Sequence, residues 1–364
     1  MNGYVISEDN WFMKTAAHGA VWVFFFLSGY FNIKGFLGAK PTYRIDLQGI
    51  SRFYIKKFFK ILLPVWCFYL IALTISEPSF LVVYPETIWH LLTFTYSGEP
   101  GCTSIAATWY VSSLAWLYFF TPLIALVCRK LDKQGIRIRL FATAIIVAML
   151  GFALRFILLL TGADWTQGVF VPFYCNLDIY ICGAIAYIIG KRFRLPFAAG
   201  ISYAASFVVY SLLLIIHSRI YYLGDIDGKY IIIHGYLMPT VYILIMTIVC
   251  LLIRSAGYHY LPVSFSCIKR NPFRLIDAFS AISFQFYLVH SMVLFHMSSI
   301  ITVTDGAEYN RRLLMAGFVL SVPLAILFKK ATAFKIPGGS SSKNEAGQTR
   351  KEEAVSGDIY GSAT

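Results

Sequence analysis

Near the end of the chain, the run Ile282-Ser-Phe-Gln-Phe-Tyr-Leu-Val-His290 carries three side chains that can handle protons. Ser283, Tyr287 and His290 stand at i, i+4 and i+7, so a helix lines them up on one face. An imidazole, whose ordinary pKa sits near neutrality, can take the proton of a hydroxyl group. Tyr and Ser hydroxyls beside it can orient that acceptor or stabilise developing charge. The plainer alternative is a neutral histidine bonded into helix packing. His296, off that face, reads as a packing or interfacial group. A second candidate is the pair Lys57 and Lys60, two ammonium groups at the start of an apolar run. They suit either the grip of phosphate groups as compact point charges or the anchoring of a helix end at a membrane surface. A third is Asp178, a carboxylate in an apolar stretch that needs a partner, for which Arg155 on the preceding helix is the candidate. A structural ion pair is the first reading of those two, a catalytic role the second.

The elements that position these groups follow from composition. Of 364 residues, 58% are hydrophobic and only 13% charged, and the mean hydropathy is +0.67, which excludes an ordinary soluble domain. Nine apolar stretches approach the ~20 residues that cross hydrocarbon: about 16–36, 57–76, 109–129, 140–161, 174–190, 195–216, 236–254, 279–301 and 312–328. Within the eighth, His290 lies about 11 residues past the inner end, roughly 17 Å, near the midplane. The expected fold is an all-α polytopic transmembrane bundle of about nine spans.

The net charge of +13 sits in short loops rather than in a nucleic-acid-binding patch. Lys34, Lys40, Arg44, Arg52, Lys56, Lys57 and Lys60 flank the first two stretches, Arg129 to Arg139 follow the third, and Lys191 to Arg194 follow the fifth. Arg254 to Arg274 follow the seventh, and Lys329 and Lys330 the ninth, while 78–108 and 162–173 carry no Lys or Arg. Because cytoplasmic loops hold the Lys/Arg excess, residues 1–15 are expected outside, 16–330 as the membrane domain, and 331–364 as a disordered cytosolic tail. Loop 78–108, with Trp89, His90, Tyr96 and Glu99, is expected to fold over the bundle mouth. The seven cysteines lack zinc spacing and read as small core residues, although Cys102 and Cys175 share the outer face and admit a disulfide. Zincin, hydrolase-elbow, phosphate-loop and dinucleotide signatures are missing, so no metal site and no nucleotide fold is expected.

Four segments in order resemble the acyltransferase 3 family of integral-membrane acyltransferases. They are Gly19-Ala-Val-Trp-Val-Phe-Phe-Phe-Leu-Ser-Gly-Tyr30, the basic run Phe53–Pro64 with Lys57 and Lys60 where the family usually has two arginines, Trp109–Pro122, and Ser283–His290. Asn176-Leu-Asp178 with Gly183 fits a further, weaker position. The resemblance implies ten core helices and transfer of an acyl group, commonly acetyl from cytosolic acetyl-CoA, to a hydroxyl of an extracytoplasmic polysaccharide or lipid-linked sugar. Acetyl-CoA is then a donor substrate near Lys57 and Lys60, and no permanently bound cofactor is expected. His290, Tyr287 and Ser283 are the catalytic candidates, with Asp178, Arg155 and Trp109 in support. The family's first helix carries an Arg and, eleven residues on, a His; Met1 to Lys14 has neither, so a chain lacking that helix is expected. His18 is a weak substitute for that histidine. The protein is expected in the cell's inner (plasma) membrane with its C-terminus in the cytosol. The alternatives are an exporter of polysaccharide or lipid without acyl transfer, and an inactive truncated member.

Overall fold

Inside hydrocarbon only a helix or a closed barrel satisfies every backbone N–H and C=O, and this chain takes the helical solution throughout. A computed structural model describes residues 11–97, 103–134, 137–193, 199–227, 229–255, 272–302 and 306–333, and among these there is no strand. The first part runs α1 (Trp11–Leu37), α2 (Leu47–Lys57), a π turn (Phe58–Leu62), α3 (Leu63–Ser76), the short α4 (Phe80–Val83) and α5 (Glu86–Leu92), and a 3-10 segment (Thr103–Thr108). The second part runs α6 (Trp109–Gln134), α7 (Arg137–Leu160), α8 (Leu177–Arg192), α9 (Ala199–Asp227), α10 (Lys229–Ser255), α11 (Pro272–Ile300) and α12 (Gly306–Ala331).

Six helical stretches among the described residues are long and apolar enough to cross a membrane: Gly19–Leu37, Leu47–Ser76, Trp109–Lys133, Ile138–Leu160, Leu237–Arg254 and Arg311–Ala331. Their outward faces carry uncovered Ile145, Leu150, Ile248, Met315 and Val319, side chains that lipid and not water would meet. The three other expected spans fall on α8, α9 and α11. Two boundaries differ from the sequence reading. The first helix already begins at Trp11, inside the segment expected to precede it. Residues 217–235, between the sixth and seventh apolar stretches, are helical up to Asp227 and again from Lys229, and no proline there interrupts either helix. At 29 residues, α9 is roughly 44 Å long and overruns a hydrocarbon core of about 30 Å. Residues 334–364 of the expected tail 331–364, and residues 1–10, lie outside the described residues.

The short α8 is the axis of the bundle, packed by α1, α6, α7 and α10. Twelve of its 16 residues are buried. Glycines let α1 and α8 touch backbone to backbone: a Cβ on Gly29 would lie 2.0 Å from the Tyr180 carbonyl oxygen, and one on Gly183 would lie 2.0 Å from that of Phe26. Leu47–Ser76 is one continuous helical path interrupted by the π turn. Pro64 has no N–H and its ring would crowd the Lys60 carbonyl in a regular helix. The preceding turn widens instead, and the Leu63 N–H reaches back five residues to Phe58 O.

Segment 77–108 is tied to the bundle at several points. Glu77 caps the end of α3 and accepts both the Ser104 N–H (3.0 Å) and the Ser104 hydroxyl (2.6 Å). Between them the chain dips into the bundle at Phe94, the one non-glycine residue with positive φ among the described residues (56°). A left-handed conformation costs a residue with a Cβ about 1–2 kcal/mol. Two indole donors hold it there, Trp66 Nε1 to Leu91 O (3.3 Å) and Trp116 Nε1 to Phe94 O (3.1 Å). The Phe94 ring stacks on Trp66 at 5.5 Å. Irregular backbone at such a place is tolerated because it is enclosed by protein.

Candidate active site

Two groups of functional side chains, one around Lys57 and one around His290, are joined by a line of aromatic rings and hydroxyls. The π turn begins immediately after Lys57, and its extra residue rotates Lys57 by roughly 100° relative to the faces of α3. The ammonium then sits over the Tyr118 ring at 4.1 Å and the Phe53 ring at 5.5 Å. Tyr118 is nine residues into α6, roughly 14 Å from its first residue and 24 Å from its last. Lys57 is therefore level with the middle third of α6, not at a helix end. Tyr54 fixes this register by donating its hydroxyl to Phe119 O (2.8 Å). Among the described residues Lys57 forms no ion pair, and aromatic faces are its neutralising partners.

Lys57 lines a cavity of about 280 Å³ walled by Tyr54, Phe58, Trp116, Tyr118 and Phe119, with Phe94 at one side. Lys60, three residues on, is exposed and is not part of that lining, so the structure does not pair the two lysines.

From the cavity this line leads inward. The Ser28 hydroxyl lies beside those of Tyr118 and Tyr110. The Tyr110 ring meets Tyr287 edge-on at 5.3 Å, and Tyr287 lies 5.4 Å from the His290 ring. Lys57, Tyr287 and His290 are deep among protein atoms yet keep part of their surface uncovered, as groups lining interior space do. His290 Nδ1 bonds the Tyr287 carbonyl in its own helix. A carbonyl has no proton to give, so Nδ1 is the donor and Nε2 is left as the basic nitrogen. The Phe286 carbonyl is a second backbone partner of the same ring. The adjacent Ser291 donates to Ser104 O (2.9 Å), which ties the histidine's turn to the Glu77–Ser104 contact. Ser283 is partly buried one turn before Tyr287.

The other predicted residues support the frame. Arg155 grips Asp178 with two parallel bonds, Nη1 to Oδ1 at 2.9 Å and Nη2 to Oδ2 at 2.8 Å, and Nη1 also donates to Cys175 O. Both side chains are buried, and Gly151 lets α7 pass directly over the carboxylate. Trp109 is partly buried against Phe170 at 4.8 Å. His296 bonds Ser76 through Nε2 (2.9 Å). Cys175 is a free thiol, so the disulfide to Cys102 admitted by the sequence is not made; its sulfur donates to Gly168 O and Cys102 lies outside the described residues. The side chain of His18 and residue Glu99 also lie outside them.

Sequence reasoning passed over Tyr110, Trp116 and Tyr118, although all three stand in the Trp109–Pro122 segment. Nothing in their spacing singles them out among so many aromatics. It also passed over His217, which is fully buried, bonds Tyr242 through Nδ1 (2.9 Å) and stacks on Trp22 at 5.6 Å. Near the line of tyrosines, the buried Tyr69 hydroxyl lies beside those of Thr108 and Ser112. Among the described residues no group of three His, Cys, Asp or Glu side chains is placed to hold a metal ion.

Long apolar helices with a buried cation and histidine inside define a multi-pass membrane protein with an interior polar site. Comparison with known families places it further: the model of the acyltransferase domain of the acyltransferase 3 family matches residues 2–330, so the chain belongs to that family of membrane acyltransferases. No curated protein and no solved structure matches it.

Proposed function

We propose that this protein moves an acetyl group from acetyl-CoA to a hydroxyl of an extracytoplasmic polysaccharide or lipid-linked sugar. The observation that carries this reading is an interior cation, Lys57, without an ion pair among the described residues, linked through Tyr118, Ser28, Tyr110 and Tyr287 to the ring of His290. Such groups are costly inside a membrane protein and are kept for a ligand's sake. Lys57 draws in the anionic donor, and Lys60 adds positive charge to its approach. His290 Nε2 takes the proton of the acceptor hydroxyl as its oxygen attacks the thioester carbonyl. The carbon–sulfur bond then breaks, and the departing thiolate takes a proton from the imidazolium. Tyr287 and Ser283 orient the acceptor. The Lys/Arg pattern supports a plasma-membrane orientation with the C-terminus in the cytosol, where acetyl-CoA is available.

The test is transfer of radiolabelled acetyl from acetyl-CoA to membrane glycans by the purified full chain in proteoliposomes. His290→Gln should lower the rate on the order of 10²-fold or more, the usual contribution of a positioned base. Unlabelled glycan with an intact, folded wild-type protein, or full activity in the variant, would sink the assignment.

A further inference from the structure

We infer that Glu77, at the end of α3, is a positioning residue for the reaction: through Ser104 and Ser291 it holds the turn of α11 that carries His290. The inference rests on the reading of His290 as the base and says what keeps that base in place. The imidazole is fixed to its own helix, since Nδ1 bonds the Tyr287 carbonyl. Its distance from any group outside α11 is therefore set by how the helix is held. The next residue supplies a tie. The buried Ser291 hydroxyl donates to Ser104 O at 2.9 Å, a closer contact than the 3.3 Å to Leu288 O within its own helix. Ser104 is fully buried near the start of the Thr103–Thr108 segment, which packs against α11.

Glu77 Oε2 grips Ser104 by two donors, the N–H at 3.0 Å and the hydroxyl at 2.6 Å. Hydrogen bonds to an ionised acceptor are roughly twice as strong as neutral ones. With both donors held, the direction of the Ser104 carbonyl is held too, and that carbonyl is what Ser291 meets. Glu77 is itself anchored, because its N–H closes the last turn of α3 on Leu73 O at 3.2 Å. The residue before it, Ser76, bonds His296 Nε2 at 2.9 Å. Two consecutive residues of α3 thus hold α11 at positions 291 and 296, roughly 7.5 Å apart along its axis. Two such points resist both sliding and rotation, and removing one leaves the helix a pivot about the other. A catalytic group displaced by about 1 Å can lose on the order of 10²-fold in rate. The plainer role, a carboxylate that only caps the Thr103–Thr108 segment, affects stability and not the rate of each folded molecule.

The experiment measures kcat and KM for acetyl-CoA with the folded full chain in proteoliposomes, as wild type, Glu77→Ala, Glu77→Gln, Ser291→Ala and the double variant Glu77→Ala with Ser291→Ala. Glu77→Ala and Ser291→Ala should each lower kcat at least about tenfold and move KM less than about threefold. Glu77→Gln keeps an oxygen that accepts both Ser104 donors and should recover most of the rate. The double variant should be no slower than the worse single one, because both changes break the same tie. Where Glu77→Ala gives no folded protein, Glu77→Asp takes its place, since it keeps the charge but draws the acceptor away from Ser104. An unchanged kcat in the Glu77 variant, or losses that multiply in the double variant, overturns the inference and leaves the base assignment standing. Full activity of His290→Gln, or no transfer by folded wild type, overturns both.

Discussion

His290 owes its usable nitrogen to the carbonyl of Tyr287 one turn before it, so the helix itself sets the tautomer. Any substitution that keeps a hydrogen-bonding ring-sized group but no basic nitrogen should therefore spare folding and remove turnover, as argued above for His290→Gln. Lys57 behaves differently because, among the described residues, it is held by rings and by no carboxylate. Lys57→Ala should raise the KM for acetyl-CoA about tenfold or more with a smaller change in kcat, measured by initial rates in proteoliposomes. A simple membrane anchor would move neither constant. The Arg155–Asp178 pair makes a stability prediction instead. Asp178→Asn leaves a buried guanidinium without its counter-charge and should destabilise by about 3–5 kcal/mol, whereas the double change Arg155→Met with Asp178→Leu should recover most of that. Thermal unfolding in detergent measures both. Of these residues, His290, Lys57, Arg155 and Asp178 were legible in the sequence because an ionisable group in an apolar run is conspicuous. Tyr118 and Phe94 were not, because an aromatic in a chain that is 17% aromatic carries no signal until its neighbours are known.

At the level of elements, the π turn and the inserted segment do the positioning. Pro64 forces the widened turn, and the widened turn faces Lys57 toward Tyr118. Pro64→Ala permits a regular helix and should turn Lys57 away from the cavity. The expected outcome is a protein of unchanged or higher thermal stability with at least about tenfold weaker acetyl-CoA binding, read by equilibrium dialysis. The α1–α8 contact has no such latitude. Gly183→Val would place side-chain atoms against the Phe26 carbonyl, and the predicted result is loss of the monodisperse folded peak in size-exclusion chromatography. Helix identities were readable from apolar runs, and a proline in Phe53–Pro64 was visible. The direction in which the turn widens was not, since it depends on which neighbours crowd the helix.

Over the whole molecule, hydropathy and the Lys/Arg pattern were enough to read a polytopic helix bundle and an orientation, because a bilayer demands long apolar helices and retains basic loops on one side. The Lys/Arg pattern predicts a cytosolic C-terminal tail, so a single cysteine placed there in an otherwise cysteine-free variant should react with a membrane-impermeant maleimide only after the cell is permeabilised. The sequence also determined that a histidine stripe had to be placed inside apolar surroundings, since its local spacing needs nothing but a helix. Only the tertiary structure decided that α8 is the axis, that Lys57 lies level with mid-α6, that Lys60 is left outside, and that Phe94 lines the Lys57 cavity. The physical reason is one of range. Apolar length and helical periodicity are properties of neighbouring residues and the solvent, whereas Phe94, Lys57 and Trp116 share a cavity only because three separate stretches of chain pack side by side.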